Sequence, residues 1–141
     1  RGLPTVHKAF DEATAILAGD GLLTEAFAII ADEATELPAE RKVQLISALS
    51  GAAGIGGMAG GQALDLEAER HTPDEEGIVT LQVMKTGALI RFAAESGAII
   101  AGASAGDRER LSGFGSAIGL AFQLADDLLA KGVSEVRAKL N

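Results

Sequence analysis

Two neighbouring acids late in the chain, Asp126 and Asp127, follow Gln123 by three and four residues in Gln123-Leu-Ala-Asp126-Asp127-Leu-Leu-Ala130. On a helix, residues three and four apart share a face, so Gln123 projects beside both carboxylates and Gly119 leaves space one turn earlier. Adjacent acids flanked by leucines are costly to bury unpaired and must face water, a cation or a basic partner. Hard oxygen donors of this kind suit magnesium, which keeps several waters and shares substrate phosphates with one or two carboxylates. A solvated helix edge satisfies the same pattern, because a lone pair of acids does not fill a metal shell.

A second candidate is Lys85-Thr86-Gly87. A lysine point charge beside a hydroxyl, next to a glycine that lets the backbone bend, suits a phosphate contact. It equally suits a helix end, where lysine satisfies the last carbonyls and the dipole. In Gly60-Gly61-Gln62-Ala-Leu-Asp65-Leu an amide and an acid share one helix face. They can pair across to Lys85 or support a metal-bound water, or simply rim a helix-packing glycine pair. Gly54-Ile-Gly56-Gly57-Met-Ala59 matches the dinucleotide fingerprint in letters, but that mechanism needs a strand before the first glycine, and residues 41–49 have helical spacing. His7 and His71 are too few for a histidine metal site, and Lys8 reads as surface.

The elements that must carry these groups are helices. Val6, Phe10, Ala13 and Leu17 recur at helical spacing, and the stripe continues through Leu23, Phe27 and Ile30. Pro38 breaks it, and residues 41–49 begin a second helix leading into a glycine-rich stretch. Thr72 as cap, Pro73 at the first helical position and three acids after it start another helix, reaching about Met84. An apolar segment, residues 88–101, predicts the next. Asp107-Arg108-Glu109 opens the last, with Leu111, Ile118, Phe122, Ala125 and Leu129 near one face. No period-two pattern occurs, so the fold class expected is all-α in a single domain.

Composition narrows the partners. The 141 residues carry a net charge of −8, which repels phosphate backbones, so no nucleic-acid partner is expected. A hydrophobic fraction of 48% can bury a core, and the absence of cysteine excludes disulfides and a cysteine zinc site. Residues 46–64 are uncharged and nearly long enough for a bilayer, yet most are Gly, Ala and Ser, so tight packing and no membrane span are expected. The first residues lack a signal-peptide core.

Taken in chain order, Arg1-Gly-Leu-Pro-Thr-Val-His7-Lys8, Ala18-Gly-Asp20, the Gly60 to Leu66 segment, Lys85-Thr86-Gly-Ala-Leu and Gly119-Leu-Ala-Phe-Gln123-Leu-Ala-Asp126-Asp127 resemble the trans-prenyltransferases. These are the isoprenyl diphosphate synthases, such as farnesyl and geranylgeranyl diphosphate synthase. The resemblance implies an all-α bundle around a central cavity, with two aspartate-rich motifs holding three Mg2+ ions on an allylic diphosphate. Ionisation of that substrate leaves a carbocation that alkylates isopentenyl diphosphate. By the same resemblance Asp126, and Asp127 more weakly, ligate magnesium; Lys85, Thr86 and Gln123 line the allylic site; Arg1 holds isopentenyl diphosphate. Gln62 and Asp65 form a supporting shell near Lys85, and His7 has no direct ligand role. A cytoplasmic homodimer making a short-chain product, farnesyl or geranylgeranyl diphosphate, is implied.

The departures are specific. The family's first aspartate-rich motif, expected just before Arg1, is not in the sequence, nor are the N-terminal helices. Ala130 stands where the family usually has a fifth-position aspartate. Residues 132–141 resemble a family helix that follows a lysine-containing loop, and that loop is missing. The expectation is a longer protein, with further segments before residue 1 and between residues 130 and 131, and no activity from these 141 residues alone. The alternative is a catalytically silent helical binding module of the same fold, in which these are genuine losses.

Overall fold

A computed structural model describes residues 2–139, with no side-chain account for Asp127 and residues 130–139. The fold is all-α, with no strand among the described residues. The chain divides into two units, Arg1–Lys42 and Val43–Asn141.

In the first unit a short helix α1, Val6–Ala9, precedes α2, Glu12–Ala31. The apolar stripe predicts one helix from Val6 onward; the structure interrupts it at Phe10, where φ is −127° and ψ −105°. The reason is Asp11. Its carboxylate accepts the Thr14 amide at 2.7 Å and the Thr14 hydroxyl at 3.0 Å, so it caps a new helix instead of continuing the old one. Those bonds, the amide first, hold the Asp11 carboxyl below its ordinary range. The cap therefore contributes above the unfolded carboxylate pKa and is lost as pH falls through the lowered value.

No residue of α2 is buried: Ile16, Leu17, Leu22 and Ile29 are each more than half exposed. By length and composition alone α2 is apolar enough to cross a bilayer, as is the 39–68 stretch. That second stretch is broken at residues 54–57 into two helices, as its glycines dictate.

In the second unit the order is α3 (Ala39–Ala53, entering from the first unit), α4 (Met58–Ala68), α5 (Glu75–Gln82), a π-turn (Val83–Gly87), α6 (Ala88–Ala101) and α7 (Ala105–Lys139). Since α3 and not a strand precedes Gly54, the dinucleotide fingerprint has no structural basis. The buried hydrophobic residues among those described are Leu45, Leu49, Ala52, Ala53, Ala88, Ala98 and Ile99, with spacings on α3 that place four of them on one face. Most are alanines, so helix axes approach closely.

Three boundaries differ from the sequence expectation. Asp74, not Thr72, caps α5, accepting the Gly77 amide at 2.9 Å, so Pro73 lies before the helix. Residues 83–87 do not separate two helices; the π-turn carries α5 directly into α6. The third concerns α7, which Ser104 starts by accepting the Asp107 amide at 3.2 Å. Leu111, Ile118, Phe122 and Leu129 are all exposed on it, whereas Gly115 and Gly119 are buried. The packed face of α7 is its glycine face. Arg108 on α7 ties it to two other helices, donating to Gln44 at 3.3 Å and pairing with Glu95 at 3.7 Å.

The turn from α6 to α7 requires Gly102, whose φ of 64° and ψ of 36° are left-handed. The Ala103 amide reaches the Ala98 carbonyl at 2.9 Å, closing a Schellman-type end. Gly102→Ala is expected to cost about 1–2 kcal/mol, the penalty of a Cβ in that region. A urea melt that does not shift would show the turn tolerates a side chain.

Candidate functional site

All site residues placed with side chains lie in the second unit. Lys85 sits in the middle of the π-turn, a local widening of the helix that recurs at functional sites because it re-aims a side chain. Its Nζ donates to Asp65 Oδ2 on α4 in an ion pair whose two side chains are each 37% exposed. Of the alternatives for Lys85, the structure holds this cross-helix pair and not a helix end. An ammonium has three N–H donors, and Asp65 takes one. The others remain accessible from solvent, which is what contact with an anion requires. Thr86 follows in the turn, half-buried.

The opposite side of the turn packs on α7, where Gly119 comes up against Gly87. Gln123 and Asp126 follow Gly119 by four and seven residues and so share its face, with Asp126 about 10 Å further along the axis at 1.5 Å per residue. Gln123 is half-buried and Asp126 exposed. Gln62 is exposed on α4, three residues before Asp65. Arg1 and the Asp127 side chain lie outside the described residues. Thus the structure brings Lys85 and Asp65 together on the α4 side of the turn, places Gln123 on its α7 side, and leaves Asp126 further along α7.

A cleft of about 90 Å³ opens along this turn, lined by Gln82, Gly87, Arg91, Gly119 and Gln123 among others. Arg91 and Gln82 were not singled out by sequence reasoning. The available signal was that Arg91 is the lone cation in the otherwise apolar segment between Lys85 and Glu95.

No group of three or more His, Asp or Glu that would by itself hold a metal occurs among the described residues. A single exposed carboxylate is nevertheless the donor that magnesium uses when phosphate oxygens complete its shell. Asp126, exposed on α7, is a donor of that kind.

The sequence model of the polyprenyl synthetase family matches residues 1–136. The chain belongs to that family. Among polyprenyl synthetases, farnesyl diphosphate synthase of Bacillus subtilis is 47% identical over 130 residues, covering 92% of this chain and 44% of its own length. The crystal structure of a FPP/GFPP synthase from Zymomonas mobilis superposes with a TM-score of 0.89 at 48% identity, covering 94% of this chain and 48% of that one. A geranyltransferase from Helicobacter pylori, solved in complex with magnesium and isoprenyl diphosphate, gives a TM-score of 0.83 at 36% identity, covering 90% and 42%. The chain therefore spans somewhat less than half the length of these polyprenyl synthetases.

Proposed function

We propose that this chain is the C-terminal part of a longer magnesium-dependent prenyltransferase, which condenses an allylic diphosphate with isopentenyl diphosphate to a farnesyl or geranylgeranyl diphosphate. The observation that carries the reading is the Lys85 turn: a solvent-accessible ammonium held by Asp65, with Gln123 on the helix packed against the same turn. Similarity to proteins named farnesyl diphosphate synthase supports the substrate class.

In this reading Lys85 offsets the charge of the allylic diphosphate, while Thr86 and Gln123 hydrogen-bond to its oxygens and orient it. Asp126, with Asp127 beside it in sequence, holds magnesium, which when bound neutralises the departing diphosphate. The allylic C–O bond breaks with its electron pair leaving on the diphosphate. The isopentenyl double bond then attacks the allylic carbon, and loss of a proton restores an alkene. Apolar helix faces keep water from the cation. Arg1 holds isopentenyl diphosphate.

The protein acts as a cytoplasmic homodimer without a membrane span. The exposed apolar residues of α2 support cover by further polypeptide or a second copy, and Asp20 and Glu25 within that helix disfavour a bilayer. A segment inserted between residues 130 and 131 belongs to the same reading, and a peptide spanning an unbroken Ala130-Lys131 bond in the native protein would remove it.

Ligand binding tests the function. The full-length protein should gain several degrees in melting temperature with a bisphosphonate in the presence of Mg2+, corresponding to about 2.7 kcal/mol at a hundredfold excess over Kd. EDTA should abolish the gain. A melt indifferent to both, together with no turnover of allylic and isopentenyl diphosphates, would favour the silent binding module, in which Ala130 marks a lost ligand.

A further inference from the structure

Lys85 is fixed from α4 at its ammonium by Asp65, but an ammonium on a four-carbon stem is a loose anchor. One turn earlier on the same face of α4 lies Gly61, which is buried. A Cβ there would stand 2.7 Å from the Lys85 Cα and 2.8 Å from the Met84 carbonyl carbon. Both are main-chain atoms, so no rotamer change relieves the contact. On the far side of the turn, a Cβ at Gly119 of α7 would meet the Gly87 Cα at 3.0 Å. The turn is thus seated between two helices that approach it without side chains.

We propose that Gly61 is a positioning residue for the reaction: by admitting the Lys85 backbone directly against α4, it sets where the ammonium stands relative to Gln123 and Asp126. The inference rests on the prenyltransferase reading. A methyl group at position 61 forces α4 and the turn apart and carries Asp65 away from the ammonium with it. Gly119 limits the turn's retreat on the other side, so the displacement appears as a misaimed Lys85. Gly61 presses on a turn whose residues the reading assigns to the allylic diphosphate alone, which separates the two substrates.

The test is steady-state kinetics of Gly61→Ala in the full-length protein, with Gly113→Ala, whose Cβ would meet nothing within 4 Å, as the control. The expected result is a KM for the allylic diphosphate raised roughly tenfold, within the range a misplacement near 1 Å produces, with the KM for isopentenyl diphosphate unchanged. A merely structural role would lower the active fraction and kcat while leaving both KM values alone; that outcome, or wild-type kinetics, overturns the proposal. If circular dichroism shows Gly61→Ala unfolded, Gly119→Ala carries the same test with a smaller clash, since it presses the same turn from the opposite side. A wild-type protein that turns over neither substrate defeats the prenyltransferase reading itself, whereas an active wild type with an unaltered variant defeats only the role of Gly61.

Discussion

Turnover of the full-length protein should fall about a thousandfold when Asp126 becomes alanine, because in the proposed reading it holds the metal that lowers the barrier to leaving-group departure by several kcal/mol, and each 1.4 kcal/mol is a factor of ten. The fold should not notice the change. Asp126 is exposed, and alanine is the better helix former at an α7 position. Far-ultraviolet circular dichroism and the melting temperature should therefore match the wild type while kcat collapses. Asp126→Asn keeps the shape and loses the charge, so it should fall nearly as far. Asp126→Glu keeps the charge at a longer reach and should recover part of the rate at raised Mg2+. Equal turnover of Asp126→Ala and wild type would remove this carboxylate from the mechanism and leave the pair as a solvated helix edge.

Residue types at helical spacing made the fold class legible, and local punctuation made some boundaries legible as well. Residues 88–101 were bounded correctly because Gly87 and the small-residue run from Gly102 flank an apolar stretch. The break at Phe10 was hidden, since Val6, Phe10 and Ala13 stay in phase across it; Asp11 three residues before Thr14 was the overlooked signal. Nothing in Val83-Met-Lys85-Thr86-Gly87 distinguishes a π-turn from an ordinary helix or a loop. That choice is made by tertiary contact, where α4 and α7 press on the turn. The packed face of α7 was misread for a related reason: periodicity counts large apolar residues, while Gly115 and Gly119 pack closely precisely because they have no side chain to count. Likewise the stripe on α2 reports an apolar face and is silent about what covers it. For the site, Asp65 opposite Lys85 was legible as one of several pairings, but choosing among them required knowing which helices touch. Arg91 stayed unseen because one cation in an apolar helix has no partner motif to announce it.

The second large effect expected is at Lys85. Lys85→Ala should lower kcat/KM for the allylic diphosphate about a hundredfold, roughly the 1.5–3 kcal/mol of a charged hydrogen bond with a further share for charge developing on the leaving group. Stability should change little. Both members of the ion pair are more than a third exposed, so water takes over the solvation of Asp65 once its partner is gone. Lys85→Arg should not restore the rate, because a bulky planar guanidinium with its donors in a fixed fork cannot occupy the site of a compact ammonium. Asp65 supplies the sharper discrimination. If it acts only by holding Lys85, Asp65→Asn in the wild type costs activity, yet adds nothing once Lys85 is alanine, and the two effects are strongly non-additive. Full additivity would mean that Asp65 meets the substrate or its metal on its own account. The ion pair would then be a feature of the ligand-free chain, broken when the diphosphate arrives.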